Sequence, residues 1–284
     1  MKLNHILWLI VLAAIWGGSF IFLRVLVPVF GPMGAACLRP LLAALFLLAV
    51  LWTTGHRIQW KRDWRFLCLI GVLNSAIPFY LFSFAALHVP AAISVVINAM
   101  TPMFGAVFAV MLLKEKLTLQ KGIGLLLGIA GVVLISGSKA LDMTTQTYMA
   151  ITACVSAALC YGLSGTLIQK YGGHIEAKSL AAGSQFFAGM ALLPFFLSAG
   201  VSAPIDFKLL AIMIVFAVLS SGIAYLIYYK LIKEVGPIST LSAMFVMPVF
   251  GILWGKMILG ETIYVQMLFG TCVILAGTYL VTKK

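Results

Sequence analysis

Long apolar segments, separated by short polar loops, constrain the fold of this chain more than any other feature. About 20 apolar residues are enough for a helix to cross the hydrocarbon core of a bilayer. A helix suits that environment because it satisfies its own backbone hydrogen bonds. The pattern predicts an all-α polytopic membrane protein with ten spans, at about residues 6–27, 33–52, 66–87, 91–113, 118–136, 147–169, 177–199, 208–229, 238–259 and 263–281.

The composition excludes an ordinary soluble domain. The 284 residues are 63% hydrophobic and only 9% charged, and the mean hydropathy is +1.14. The alternating segments typical of a membrane β-barrel are not seen. The first apolar run is longer than the core of a cleaved signal peptide, so we interpret it as the first span. The five cysteines fall inside apolar runs without metal-ligand spacing, and no metal site is expected.

The net charge of +12 is explained by membrane topology. With the N-terminus in the cytoplasm, fourteen of the 19 basic residues fall on the cytoplasmic side. Short cytoplasmic loops are enriched in Lys and Arg, so the bias predicts that both termini are cytoplasmic. An even number of spans agrees with this orientation. Because the basic residues lie in short loops between spans, we expect no nucleic-acid partner.

The chain repeats itself at a nearly constant offset. Residues 75–136 match residues 221–281 at an offset of 146, as the pairs Pro102 with Pro248 and Gly105 with Gly251 show. Upstream, the match continues at an offset of 145. Each unit therefore holds five spans, and an odd number inverts the second unit in the membrane. Such inverted repeats are typical of transporters with alternating access. We predict two repeat domains, residues 1–140 and 141–284.

The ten spans, the two five-helix units and two local motifs resemble the drug/metabolite transporter superfamily, in particular its EamA-type members. The motifs are "WGGSF" in the first span and a duplicated "P…G…L…E" pattern that closes spans 4 and 9. The resemblance implies a permease or exporter of small metabolites such as amino acids, and of some drugs, in the inner membrane of a bacterium. It also implies a basket-like fold, with a central cavity lined by spans 1–4 and 6–9, and with spans 5 and 10 at the periphery.

Span 4 carries a polar stripe that is a candidate for the binding site. Ser94, Asn98, Thr101 and Gly105 are spaced by 4, 3 and 4 residues, which places them on one helix face. The counterpart in span 9 is rich in polarisable thioether side chains and includes Met244. Helix packing is the alternative interpretation, because small and hydroxyl residues also fill the interfaces between membrane helices. Pro102 and Pro248 remove a backbone donor within these spans, which predicts kinks or a role in gating.

Further candidates come from other spans. The aromatic and polar substrate-binding candidates there are Trp16, Ser19, Asn74, Tyr80, Tyr161, Ser164, Tyr225 and Tyr228. Packing is the alternative for any single aromatic residue among them. Arg39 lies inside span 2, where a cation is costly unless it is paired or hydrated. It either attracts a carboxylate of the solute or extends to the external headgroups.

The sequence offers no chemistry for catalysis or ATP hydrolysis. No span carries a central acid or histidine, and no Gly-x-x-x-x-Gly-Lys phosphate loop occurs. We therefore expect a secondary transporter, not an enzyme, with no cofactor. The partners expected are a small-molecule substrate and the lipid bilayer. A membrane enzyme or a scramblase acting on a lipid-linked substrate is the alternative. The oligomeric state stays open, with a monomer as one option.

Overall fold

The structure, a computed structural model, describes residues 3–116, 118–136, 141–142, 144–235, 240 and 243–282, with the side chains of residues 232 and 233 left out. Within these ranges every regular element is a helix. The helices are α1 Leu3–Thr53, α2 Trp60–Ala85, α3 Ala91–Leu113, α4 Leu119–Ser136, α5 Thr145–Tyr171, α6 Ala177–Ala199, α7 residues 207–235, α8 Ala243–Leu259 and α9 Val265–Thr282.

Eight of the helices in the described ranges are long and apolar enough to cross a membrane, and α8 is a shorter apolar helix of 17 residues. At about 1.5 Å per residue, the 51 residues of α1 exceed the thickness of one bilayer more than twofold. Gly31 interrupts this helix with φ 69° and ψ 164°, so two helical segments meet there. Only glycine adopts this backbone conformation without strain. The break falls between the first two predicted spans.

Local sequence signals explain several helix ends. Asp206 precedes α7, and its Oδ1 accepts a hydrogen bond from the backbone N–H of Leu209 at 2.7 Å. Thr144 caps α5 in the same way, through the N–H of Thr147. Gly200 ends α6 at a φ of 69°. These are ordinary N-cap and C-cap residues, which satisfy backbone groups that a helix end leaves unpaired.

Three further helices depart from regular α geometry in their middle. A π-helical turn occupies Val72–Ala76 in α2, and another occupies Val218–Ile223 in α7. The helix α3 is interrupted at residues 99–100, so Pro102 lies in the first turn of a new segment, Thr101–Leu113. Pro102 therefore begins a segment where its missing N–H costs little. Pro248 lies inside the helix α8.

The helices α4 and α9 pack against each other through glycines. A Cβ atom built on Gly124 would lie 2.6 Å from the carbonyl oxygen of Gly277, and one on Gly131 would lie 2.9 Å from that of Gly270. Small residues allow membrane helices to approach this closely. The outer faces of the pair are apolar and exposed, as Leu126 and Phe269 show, which fits contact with lipid.

Some predictions fall outside the described residues. The boundary between the two predicted domains lies at residues 140 and 141, and residue 140 is outside. The first residues of predicted span 9 are also outside, apart from residue 240. The same holds for four of the basic residues that entered the topology argument: Lys2, Lys139, Lys283 and Lys284.

Candidate functional site

A cavity of about 750 Å³ lies between the helices. Most of its lining comes from α1, α2, α3, α5, α7 and α8, while α4 and α9 contribute only near one end, through Lys121 and through Tyr279, Val281 and Thr282. The candidate residues from the sequence that line it are Trp16, Ser19, Arg39, Asn74, Asn98, Thr101, Pro102, Gly105, Tyr161, Tyr225, Tyr228 and Met244.

Five candidates lie outside this lining. Tyr80 is 37% exposed on the outer face of α2, which it shares with Ile77, three residues earlier. Ser94 is buried and accepts a weak hydrogen bond from Cys154 Sγ at 3.6 Å. Ser164 lies behind the lining. Pro248 and Gly251 are buried in α8. The substrate-binding candidates Tyr80, Ser94 and Ser164 therefore do not line the cavity, while the kink or gating roles of Pro248 and Gly251 stay predictions.

Arg39 is the only basic side chain that is buried among the described residues, with 6% of its surface exposed. Its guanidinium carbon lies 3.8 Å from the centroid of the Phe79 ring and 4.6 Å from that of Phe216. Its Nε donates a hydrogen bond to Ser221 Oγ at 2.7 Å. Within the described part of the chain, no carboxylate pairs with it. The charge lines the cavity and does not extend to the surface as the alternative predicted.

A hydrogen-bonded chain holds further polar groups of the cavity lining. Ser164 Oγ donates to Asn74 Oδ1 at 2.7 Å, and Asn74 Nδ2 donates to the Tyr225 hydroxyl oxygen at 3.1 Å. Ser164 thus orients the amide of Asn74 from behind. Asn74 and Tyr225 belong to the two π-helical helices, α2 and α7. π-Helical turns occur frequently at functional sites, because the extra residue redirects side chains and loosens the backbone ladder.

Aromatic rings form a further part of the lining. The ring of Trp16 lies 5.2 Å from that of Tyr228 and 6.1 Å, edge-on, from that of Tyr225, measured between centroids. Its Nε1 donates to the carbonyl oxygen of Ser220, in the π-helical turn of α7, at 3.2 Å. These contacts fix the indole ring between α1 and α7, so that it offers the cavity a rigid apolar surface.

The polar stripe of α3 is only partly available to a solute. Thr101 Oγ1 donates to the carbonyl oxygen of Asn98 at 2.8 Å and lies 3.2 Å from its Oδ1. Both residues line the cavity at the interruption of α3. Gly105 follows on the same face, where a Cβ atom would be 3.9 Å from the nearest atoms, those of Gly162. The wall here therefore has room for a small side chain.

The two ends of α3 differ in how they are held. At its start, the Glu261 carboxylate accepts hydrogen bonds from the backbone N–H groups of Ala91 at 2.8 Å and Ala92 at 3.2 Å. Arg24 Nε lies 4.0 Å from the same carboxylate. At the other end of α3, Glu115 pairs with Lys121 at 3.0 Å, and both residues line the cavity. The cavity thus reaches the end of α3 near Glu115, while hydrogen bonds to Glu261 hold the start of α3 in place outside the cavity lining.

Gln185 and Ser75 are polar residues near the site that the sequence analysis missed. Gln185 is fully buried, and its Nε2 donates to Ser75 Oγ at 3.0 Å. Both residues lie in the hydrogen-bonding surroundings of the Tyr225 hydroxyl. A signal was available, because Gln185 stands 146 residues after Arg39 and Ser75 stands 146 residues before Ser221. Only the second of these pairs lies within the segments that match at this offset, residues 75–136 and 221–281.

A bundle of apolar helices around a mainly apolar cavity, which carries a few polar side chains and is open towards one end, is typical of a multi-pass membrane protein of the transporter class. The chain belongs to the EamA-like transporter family, which it matches twice, over residues 3–137 and 148–283. The family and its relatives are named as transporters, so the protein is grouped with transporters and not with enzymes.

Several relatives align over nearly the whole chain. An "uncharacterized transporter" of Archaeoglobus fulgidus is 23% identical and covers 95% of each chain. A "probable terminal-alkyne amino-acid exporter" of Streptantibioticus cattleyicolor is 24% identical, over 100% of this chain and 95% of its own. The "uncharacterized inner membrane transporter YedA" of Escherichia coli (strain K12) is 28% identical, over 90% and 83%.

A solved crystal structure superposes with a TM-score of 0.69, over 99% of this chain and 96% of that chain. The two sequences are 14% identical. At that identity the likeness shows the fold alone.

Proposed function

We propose that this protein is a secondary transporter of small metabolites that carry a carboxylate, amino acids among them, and that it works as an exporter or permease in a bacterial inner membrane. The observation that carries the proposal is Arg39, a buried cation in the cavity wall that no carboxylate of the described residues pairs with. A buried charge is costly unless it is compensated, and a bound anion compensates it. The relative named as an amino-acid exporter supports the same solute class.

We further propose that ten spans form two inverted five-helix repeats, and that alternating access operates between them. Mirrored contacts support this arrangement. A Cβ atom on Gly17 would meet the backbone N of Gly251 at 3.0 Å, and one on Gly162 would meet that of Gly105 at 2.6 Å. Gly162 follows Gly17 by 145 residues, and Gly251 follows Gly105 by 146. The two separate family matches point to the same duplication.

The state in the structure fits one half of such a cycle. The cavity reaches the end of α3 near Glu115 and its partner Lys121 in α4, and the distribution of basic residues predicts that this side is cytoplasmic. The opposite end is closed by Glu261 on the start of α3. We interpret this state as open to the cytoplasm. In the other state, the contacts at the Glu261 end would break and the cytoplasmic end would close.

The orientation itself has a direct test. In a cysteine-free variant, we introduce Gln59→Cys before α2 or Gln146→Cys near the start of α5. We expect an impermeant thiol reagent applied to intact cells to label position 146 and to spare position 59, because the loop before α2 is basic and cytoplasmic. Labelling of both positions after permeabilisation is the control. The reverse pattern in intact cells would invert the topology.

Flux through the cavity is tested by filling it. Gly105 has space for a Cβ atom, so Gly105→Ala should transport radiolabelled amino acids in proteoliposomes at nearly the wild-type rate. A tryptophan at the same position would place an indole in the cavity, so Gly105→Trp should reduce the flux at least about tenfold, because the ring occupies volume that the solute needs. Both variants should give the same single peak as the wild type in size-exclusion chromatography, which shows that they are folded.

The same vesicles distinguish the alternatives. A scramblase would move fluorescent lipids between leaflets, and an enzyme would change the chemistry of the recovered solute. If Gly105→Trp and the wild type give equal amino-acid flux, or if neither exceeds protein-free vesicles for any amino acid, the proposed function is wrong.

A further inference from the structure

The surroundings of Arg39 occur twice in this molecule, with one decisive difference. Arg39 and Gln185 are 146 residues apart, and so are Ser75 and Ser221. Arg39 Nε donates to Ser221 Oγ at 2.7 Å, and Gln185 Nε2 donates to Ser75 Oγ at 3.0 Å. We name the first pair the charged clasp and the second pair the neutral clasp. Each joins one half of the chain to the other, so the two contacts occupy equivalent positions in the two repeats.

The backbone beneath the two clasps is equivalent as well. Ser75 lies in the π-helical turn Val72–Ala76, and Ser221 lies in the π-helical turn Val218–Ile223. All four side chains are buried, with at most 6% of their surface exposed. Ser75 and Ser221 therefore occupy equivalent positions on the two turns, and each accepts a hydrogen bond from a buried side chain of the other half. The chemical difference is that one donor is a cation and the other is a neutral amide.

The neighbouring rings differ in the same sense. Phe79 stacks on the guanidinium of Arg39 at 3.8 Å, and its counterpart at an offset of 146 is Tyr225. The hydroxyl of Tyr225 lies among Gln185, Ser75 and Asn74. Thus a phenyl ring accompanies the charge, while a hydroxyl group accompanies the amide. Both rings line the cavity. The cavity lining consequently has a cationic group at Arg39 and a neutral, hydrogen-bonding group at Tyr225 and Asn74.

We propose that Gln185 is a specificity-determining residue, and that the exchange of Arg for Gln restricts the transporter to solutes with one carboxylate. This inference rests on the proposed function, in which Arg39 binds that carboxylate. A second carboxylate on the solute would meet Tyr225 and Asn74, which separate the neutral clasp from the cavity. In the clasp, the Oε1 of Gln185 is buried and accepts no hydrogen bond within the described part of the chain. A buried acceptor oxygen that has no donor disfavours an anion that has lost its water.

The residue acts through the wall and not by direct contact. Gln185 does not line the cavity, whereas Tyr225 and Asn74 do. An arginine at position 185 would change this. If its Nε kept the bond to Ser75, its terminal N–H groups would extend beyond the serine, as those of Arg39 extend beyond Ser221 to the cavity. The ring of Tyr225 would then stack on the new guanidinium, as Phe79 does on Arg39.

The test uses isosteric pairs of probes that differ only in one charge, L-glutamine with L-glutamate and L-asparagine with L-aspartate. Binding to the purified full-length protein is measured by ligand-dependent thermal stabilisation and by competition in proteoliposomes. We expect the wild type to bind the amide of each pair at least about tenfold more tightly than the acid. Gln185→Arg should lower the preference for the amide over the acid about tenfold, so that the two bind equally or the acid binds more tightly. Gln185→Met has similar size and no charge, and should not favour the acid.

The outcomes separate the two proposals. A wild type that binds acid and amide equally overturns this inference, and so does a folded Gln185→Arg protein with an unchanged ratio. If Gln185→Arg does not fold, the double variant Arg39→Gln with Gln185→Arg replaces it, because this variant keeps the total charge of the wild type. The ratio of acid to amide binding in the wild type tests the inference in either case. Failure of the proposed function is recognised differently: Arg39→Gln alone would leave the binding of all four amino acids unchanged, or none of the four would bind.

Discussion

Replacing Arg39 by Gln should weaken the binding of carboxylate-bearing solutes about 10- to 100-fold. A hydrogen bond between charged groups contributes about 1.5–3 kcal/mol, and each 1.4 kcal/mol corresponds to a factor of ten. The loss should appear for amino acids and not for their amides or esters at the α-carboxyl group, because those derivatives do not present an anion to the guanidinium. The measurement is the concentration of each compound that half-inhibits flux in proteoliposomes.

The substitution should leave the fold intact, and the molecule itself provides the reason. At the equivalent place in the second half of the chain, Gln185 already donates to Ser75 on a π-helical turn. A Gln at position 39 has the same length and can donate to Ser221. Arg39→Lys is informative for a different reason. It retains the charge but loses the planar group that stacks between Phe79 and Phe216, so we expect only partial activity.

Arg57→Gln is the matched control, since this arginine is exposed in the loop before α2 and lies outside the cavity lining. It should not change the affinity for any solute. Equal losses for acids, amides and esters in Arg39→Gln would assign Arg39 a purely structural role. The carboxylate site would then have to be abandoned.

Much of the architecture was predictable because membrane lipids enforce it. A run of about 20 apolar residues must be helical in a bilayer, so the helices from α4 to α6 lie close to their predicted positions. The predicted connection between the first two spans, residues 28–32, contains Gly31, where the helix breaks. A charged residue such as Arg39 inside an apolar segment was predicted to face either a cavity or the headgroups, and the tertiary structure decided between them.

The local irregularities were not predictable, because tertiary contacts create them. Nothing in "VLNSA" or "VLSSGI" marks a π-helical turn, yet these turns carry Ser75 and Ser221. The orientation of a side chain around a helix depends on such turns. This is why Tyr80 was expected in the cavity but lies on the outer face. Ser94 and Ser164 illustrate a second limit, since a hydroxyl group on the predicted face can be engaged by a neighbouring side chain.

The sequence repeat helps to predict the site in another way, through the comparison of its two halves. A duplicated sequence identifies equivalent positions, and their differences are then informative. Glu115 and Glu261 are equivalent by sequence but not in their contacts, because Glu115 pairs with Lys121 at the cavity while Glu261 accepts two backbone hydrogen bonds. Such a difference between equivalent residues is what a transporter in one of two alternating states requires. It leads to the second large effect that we expect.

Removing the Glu261 carboxylate should open the closed end of the cavity. The carboxylate ties the segment after α8 to the first turn of α3 through Ala91 and Ala92. Each hydrogen bond to a charged group contributes about 1.5–3 kcal/mol, so losing both should shift the balance between the two states at least about tenfold toward the outward-open form. Glu261→Gln keeps an acceptor oxygen without the charge, and should give an intermediate shift.

The shift is measured by the accessibility of the cavity from outside. Leu23 is 2% exposed and lines the cavity one residue before Arg24, near the closed end. In a cysteine-free variant with Leu23→Cys, an impermeant thiol reagent should react slowly in intact cells. Adding Glu261→Ala should accelerate this reaction about tenfold or more, whereas Glu115→Ala, at the other end of α3, should not accelerate it.

An independent variant tests the same contact from another residue. A Cβ atom on Gly255 would lie 2.7 Å from Glu261 Oε2, closer than real contacts allow, so Gly255→Ala should displace the carboxylate and accelerate labelling at position 23 as well. Gly122→Ala adds a Cβ atom in open space and serves as the control. If Glu261→Ala and Gly255→Ala both leave the labelling rate unchanged in folded protein, Glu261 does not hold the outer end closed. Closure would then depend on the tight packing of Gly17 against Gly251.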